Sequence, residues 1–286
     1  MVRDVWAIGG AYEAYVGRWS RRVAADFVPW LGVPAGRRWL DVGCGTGALT
    51  ATVLAGADPA RIVGVDPSTG FLTEARAATG AGAAGTVVTG TVAATGAATA
   101  AAGAVRAGFV AGDARSLPLP DRCFDAIVSG LALNFVPEPG RAAAEIARVA
   151  APGAVAAAYV WDYAEGMAMM RYVWDAAAEV DPKGAGLDEG RRFPLCQPEP
   201  LRLLWTGAGL TDVEVRPFEV PTVFAGFDDY WRPFLGGQGA APAYLATLDD
   251  ARRDAIRDLV RSRLPSLVDG SIPLRARVWA VRGTAP

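Results

Sequence analysis

Residues 39–50, WLDVGCGTGALT, constrain this chain more than any other stretch. An apolar start leads to Asp41, then to Gly43, Gly45 and Gly47 at alternate positions, then to a resumed apolar pattern. That order reads as a buried strand, a turn that needs glycine, and a helix start. Glycine tolerates positive φ and lets the backbone approach a ligand with no Cβ in the way. The helix N-terminus beyond the turn offers free N–H groups and a partial positive charge to an anionic group.

Two ligand classes use such a turn. Gly43, Gly45 and Ala48 fit the loose G-x-G-x-x-G/A pattern of dinucleotide binders. Residues 41–47, through Cys44 and Thr46, also fit the D-x-G-x-G-x-G loop that binds S-adenosylmethionine (SAM). Asp41 discriminates in part. Its carboxylate would repel a pyrophosphate but suits a ligand carrying an ammonium and a sulfonium. An ordinary tight strand-to-helix turn is the remaining alternative, and three alternating glycines plus an acid argue against it. Residues 61–66, RIVGVD, read as a second buried strand ending in Asp66, which in either fold would accept hydrogen bonds from ribose hydroxyls. Pro67 and Ser68 then start a helix.

With DVGCGTG, VGVDPS, GDARSLPLPDRCFD and SGLALNFVPEP in this order over about residues 37–160, the sequence resembles the class I SAM-dependent methyltransferases. The resemblance is to the type 11 branch that includes ubiquinone and menaquinone C-methyltransferases, and YVGRWS near the N-terminus is similar as well. It implies an α/β, Rossmann-like fold: a seven-stranded, mostly parallel sheet with helices on both faces. The last strand would be antiparallel, between the fifth and sixth, and a helical, aromatic lid would be added. It implies SAM as cofactor and S-adenosylhomocysteine as product. It places Asp113 near the adenine amine with Ala114 offering backbone groups, and Ser129 at the end of strand four toward the methyl group. It also implies that the N-terminal segment covers the cofactor, with Tyr12 and Arg18 as contacts and Arg18 pairing the cofactor carboxylate.

Composition bounds the alternatives. The 286 residues are 52% hydrophobic and 20% charged with net charge −2, which suits a globular fold and offers no basic stripe for nucleic acid. There is no histidine, so no histidine base or ligand exists. Cys44, Cys123 and Cys196 are far apart, which gives no zinc spacing or disulfide framework. They point to a reducing, cytoplasmic setting, and MVRDVWAIGG carries no apolar signal core. No metal is expected.

The rest of the chain reads as one domain, residues 1–286, with insertions. An amphipathic helix is predicted over residues 11–31 and strands over 107–111, 124–129, 155–161, 212–216 and 274–282. Helices are predicted over 137–149, 167–180, 199–208 and 248–263. Residues 79–105 are a low-complexity alanine, glycine and threonine insert, too glycine-broken to span a membrane, with a short hairpin over 86–92 as the alternative. Residues 162–200 and 218–268 are the lid insertions.

The partner expected is a small, largely apolar or planar acceptor. Its rim would come from Tyr12 and Trp19, from Asn134 and Phe135, and from Phe227, Tyr230, Trp231 and Phe234. Asn134, after strand four, is the leading candidate for orienting it; Tyr159 and Tyr163 could hold an oxygen. Asp162, Glu165, Asp228 and Asp229 are the candidate bases, with capping or solvation as the alternative for each. An NAD-dependent oxidoreductase and a catalytically silent SAM-binding protein are the competing functions; acceptor atom and oligomeric state are not readable.

Overall fold

A computed structural model describes residues 17–81, 106–236 and 239–286. The expected start of the first helix, Tyr12, and the insert from residue 82 on, with its alternative hairpin, lie outside these residues. The elements are α1 (Arg18–Trp30), β1 (Arg38–Val42), α2 (Ala48–Gly56), β2 (Arg61–Asp66), α3 (Thr69–Thr79), β3 (Ala107–Ala111) and β4 (Phe124–Gly130). Then come α4 (Pro139–Val149), β5 (Ala150–Trp161), α5 (Ala168–Val180), α6 (Glu189–Arg192), α7 (Pro198–Gly207) and β6 (Thr211–Phe224). The chain ends with α8 (Phe227–Trp231), α9 (Ala240–Ala246), α10 (Asp250–Arg263) and β7 (Ile272–Thr284).

The seven strands form one sheet in the order β3-β2-β1-β4-β5-β7-β6. β1 lies parallel to β2 and β4, β2 to β3, and β4 to β5. These strands are short apolar runs, as expected where both faces are covered; RIVGVD is buried from Ile62 onward. β7 runs antiparallel to β5: Gly153 N–H donates to Ala285 O, while Asp162 N–H donates to Arg277 O. The chain starts at β1, steps outward to β2 and β3, then crosses back to β4. The loops after β1 and β4 therefore flank a reversal of strand order, where ligands of open α/β sheets sit.

Two elements differ from expectation. β5 starts at Ala150 because Pro152 and Gly153, expected as a turn before it, form a bulge within it; the register jumps between Phe124↔Ala150 and Ala126↔Val155. β6 continues past Pro217 and Pro221 to Phe224. Proline cannot donate to a ladder, but β6 is the edge strand, where a missing donor is tolerated.

The chain divides into two compact units. One holds Val23–Val160, Pro198–Arg216 and Trp279–Pro286, and its core is Trp39, Leu40, Ile62, Phe109, Ile127 and Trp205. Within it, Trp205 Nε1 donates to Ala156 O at 2.9 Å and so fastens α7 to β5. The other unit holds, of the described residues, 17–22, 161–197 and those within 217–278. There α5 packs on α10, and the Arg263 guanidinium grips Glu179 at 2.7 and 2.9 Å.

Two side chains of α4, Arg148 and Glu145, hold the segment between β3 and β4. Arg148 on α4 donates to both oxygens of Glu145, to Leu117 O and Leu119 O, and to Asp121 Oδ1, at 2.6–3.1 Å. Glu145 in turn accepts from Leu117 N at 2.7 Å. Arg148→Met keeps the stem but removes every donor. We expect it to lower unfolding free energy by about 2 kcal/mol, read as a lower urea midpoint at unchanged slope.

Candidate functional site

The glycine turn sits between β1 and α2 and is left-handed three times over: φ is +72° at Gly43, +53° at Gly45 and +87° at Gly47. The three glycines are needed for different reasons. A Cβ on Gly43 would lie 2.4 Å from Ala132 Cβ, and one on Gly47 would lie 3.0 Å from the Ala75 backbone. A Cβ on Gly45 would meet nothing within 4 Å. Gly43 and Gly47 are thus forced by packing, whereas Gly45 presents bare backbone to open space.

The turn is anchored to β2. Gly43 N–H and Cys44 N–H both donate to Val65 O, at 2.7 and 3.1 Å. Asp66 Oδ2 accepts from Gly45 N at 3.0 Å, and Asp66 Oδ1 accepts from Ser68 N at 2.8 Å. A carboxylate has about four acceptor positions, so two remain for hydroxyl donors. Ser68 Oγ caps α3 by accepting from Phe71 N. Pro67 is exposed and Thr46 half-buried. Cys44 is buried, with its Sγ so close to Gly64 that a Cβ there would lie 2.8 Å away. Burial pushes its thiol well above the ordinary value, as suits a packing residue.

Asp41 is fully buried at the end of β1. Its Oδ2 accepts from Thr50 Oγ1 at 2.7 Å, while its Oδ1 is buried with no partner. Desolvation raises its pKa to about 7; Thr50 pulls it down and the nearby Asp66 charge pushes it up. Burial raises Asp66 as well, against the two backbone donors. Two more orphaned atoms lie at the end of β4: Ser129 Oγ, and Asn134 Oδ1 on the 3-10 turn Leu133–Phe135. Between them Leu131 is held left-handed at φ +61°, its N–H donating to Tyr159 O at 2.8 Å. Tyr159 is buried over Gly130, where a Cβ would come within 2.7 Å of its hydroxyl. Asp41 on β1, Ser129 near the end of β4 and Asn134 on the turn after it each keep a buried polar atom without a partner.

Other expected residues are placed differently. Asp113 has both oxygens on Arg115, with the shortest contact 2.6 Å, and this pairing lowers its pKa to about 2. Ala114 lies half-buried in the same turn. Asp162 is buried, and its Oδ2 is held by Arg277 at 2.7 Å while Oδ1 accepts from Glu165 N. That carboxylate is a strut rather than a free base. Tyr163 packs against Phe193. Arg18 donates to Asp229 at 3.2 Å. Tyr230 and Phe234 are wholly buried and Trp19 and Trp231 nearly so. Tyr230 contacts Phe224, Phe227 and Phe234, and its hydroxyl donates to Met169 O at 2.6 Å. These rings build a core rather than an open rim. Thr50, Arg115 and Leu131 were not anticipated; each acts through a contact or a backbone angle that residue type does not advertise.

Residues 40–158, which carry this loop and both strand ends, match the family model of the methyltransferase domain of type 11. They are a class I, SAM-dependent methyltransferase domain of the type 11 branch. Solved methyltransferase structures share the fold. A putative methyltransferase from Bacillus halodurans aligns at 15% identity with TM-score 0.58, over 92% of this chain and 98% of that one. A phosphoethanolamine N-methyltransferase from Haemonchus contortus, in complexes with SAM or with S-adenosylhomocysteine, aligns at 16% identity with TM-score 0.55, over 97% and 56%. The cyclase SpnF aligns at 19% identity with TM-score 0.52, over 92% and 80%.

The glycines of this methyltransferase domain give a paired test. Gly45→Ala should fold, with a loss of about 1–2 kcal/mol from the left-handed angle, and should lose SAM binding. Gly43→Ala should instead lose stability first, through its collision with Ala132. Calorimetric SAM binding and thermal melts on both variants check this, and normal SAM affinity in Gly45→Ala would remove the loop from the site.

Asp41 gives a pH test. Its folded pKa of about 7 lies above the ordinary 3.8. The stability it contributes is therefore present below about pH 4 and lost as pH rises through 7. Asp41→Asn, which still accepts from Thr50, should gain melting temperature over wild type between pH 5 and pH 8. A gap between the two proteins that does not change with pH would show that Asp41 is ionised in the folded protein throughout this range, as it is in the unfolded chain.

Proposed function

We propose that the chain transfers the methyl group of SAM to a small-molecule acceptor by in-line displacement, releasing S-adenosylhomocysteine. The observation that carries this reading is Gly45, bare toward open space in the turn after β1, together with the orphaned Oδ1 of Asp41 near the end of that strand. An adenosyl ligand with an ammonium and a sulfonium complements that pair; a pyrophosphate, with its negative charge, does not. NAD is disfavoured on the same ground. Asp66 is proposed to take the ribose hydroxyls on its remaining acceptor positions, and Ser129 and the Asp113–Ala114 turn to lie along the cofactor.

Catalysis is proposed to rest on positioning. Holding donor and acceptor in a near-attack pose lowers the barrier without covalent help. Asn134, with its buried and unpartnered Oδ1, is the residue we assign to orient the acceptor. Phe135, half-buried beside it, would supply apolar contact. Tyr159 supports the same loop from behind through its backbone carbonyl. We read the reaction as metal-free, which the chelator in the assay below tests. No helix among the described residues is long and apolar enough to cross a membrane. We place the protein in the cytoplasm as one methyltransferase domain with insertions, its three cysteines unpaired.

The fold alone does not guarantee methyl transfer, since the cyclase SpnF shares it. Incubation with methyl-labelled SAM and a metabolite extract, in excess chelator, decides. Label should enter the small-molecule fraction. Asn134→Ala should lower kcat/KM by roughly tenfold to a hundredfold, the loss of one buried hydrogen bond of about 1–3 kcal/mol, at unchanged SAM affinity. Label only in protein or RNA, or none despite SAM binding, would overturn the reading.

A further inference from the structure

A cavity of about 180 Å³ opens within the unit that holds residues 161–197, between α5 and the turn that carries α6. That is about six water volumes at roughly 30 Å³ each, and less than a drug-sized ligand needs. Four charged side chains line it: Arg171 and Asp175 from α5, Asp188 and Arg191 from the turn. Trp174 and small residues make the rest of the wall. The indole N–H of Trp174 is spent on Glu189 Oε2 at 2.6 Å, so this residue offers its ring alone.

The four charges are in two different states. Arg171 and Asp188 are fixed to each other: Arg171 Nη2 donates to Asp188 Oδ1 at 2.7 Å, and the same oxygen accepts from Gly190 N at 2.8 Å. Asp188 does not saturate the guanidinium, whose Nη1 reaches only Ala164 O at 3.4 Å and whose Nε has no acceptor. Arg191 and Asp175 are exposed, and neither has an ion pair among the described residues. Asp175 feels the charge of Arg263, but both terminal nitrogens of Arg263 are spent on Glu179, at 2.7 and 2.9 Å. The lining therefore carries two cations and two carboxylates, one pair closed and one pair open. A simple anion would meet both carboxylates, and a simple cation both arginines. A molecule with one charge of each sign meets a partner for each. We propose that this cavity binds a small zwitterion of the α-amino-acid type, its carboxylate taken by Arg191 with Arg171 and its ammonium by Asp175. The closed Arg171–Asp188 pair fixes one wall, so only the two open side chains have to order on binding. The proposal goes beyond methyl transfer and does not rest on it.

The test is calorimetry and saturation-transfer NMR on the full chain. L-alanine, L-serine and L-valine are the zwitterions, propionate supplies the carboxylate alone, and alaninamide supplies the ammonium alone. At least one amino acid should bind with a Kd of about 1 mM or tighter, and propionate and alaninamide about tenfold more weakly. Arg191→Gln and Asp175→Asn change exposed side chains and should melt as wild type does. Each should weaken the amino acid about tenfold. Asp175→Asn should not weaken propionate, and Arg191→Gln should not weaken alaninamide. All titrations are repeated with saturating S-adenosylhomocysteine, which has an amino-acid end of its own. Binding that persists there and responds to both variants supports the cavity. Binding that is lost there and is unmoved by either variant overturns the proposal. So does failure of all three amino acids to bind, or equal affinity for amino acid, propionate and alaninamide. If S-adenosylhomocysteine itself does not bind, the methyltransferase reading fails while the variants still decide the cavity.

Discussion

The Asp66 carboxylate is the interaction on which the site depends. It closes two turns at once, taking Gly45 N–H on one oxygen and Ser68 N–H on the other. A loop with three left-handed glycines has more conformational freedom to lose than any other of its length. Two backbone bonds to Val65 and one to Asp66 set its shape, so the end of β2 determines the path of the chain after β1. α3 starts from the same carboxylate through Ser68. Loop and helix are therefore built on one residue, which ends a strand whose apolar run leaves it no other place to point.

Much of this was legible because local chemistry dictates it. β2 and β3 occupy the predicted residues, since RIVGVD and AGFVA are apolar runs with clear stops. The glycine turn was legible because alternate glycines encode a backbone path, and its acids because they stand at strand ends. β6 was not: Pro217 and Pro221 read as breakers, yet Phe218, Val220, Thr222 and Phe224 alternate with exposed residues, the signal of a strand with one buried face. The alternation was in the sequence; that the strand would lie at an edge, where proline is tolerated, was not. Thr50 holds Asp41 across nine positions, and Leu131 is left-handed without being glycine. Neither fact has a residue-level signature.

The aromatic residues show the limit of composition. Phe227, Tyr230, Trp231 and Phe234 cluster in sequence, which suits a ligand rim and a small core equally. The structure decides by geometry: Phe227 and Trp231 stack at 6.0 Å, and Tyr230 spends its hydroxyl on a main-chain carbonyl. Their unit gathers three separate pieces of chain, so a dense aromatic cluster supplies the burial that short helices such as α8 and α9 do not. Arg18, whose guanidinium lies over Trp19 and Phe224, keeps two buried donor atoms without an acceptor among the described residues.

The acids make the electrostatic case. Five carboxylates are buried among the described residues: Asp41, Asp66, Asp162, Asp188 and Glu189. Asp162 is paired with Arg277 and Asp188 with Arg171, each at 2.7 Å, and Glu189 accepts from Trp174 Nε1 at 2.6 Å. Asp41 and Asp66 have no such cation; they have Thr50, backbone N–H groups and one another, and burial pushes both upward. Arginine is spent on many of the other acids, among them Asp113, Asp125, Glu145 and Glu179, but not on these two. Burying an unpaired carboxylate is costly, and two neighbours that repel each other cost more. A proton on Asp41, whose pKa is raised to about 7, relieves part of that cost. On the reading proposed above, a ligand cation at Asp41 and ribose hydroxyls at Asp66 would relieve the rest.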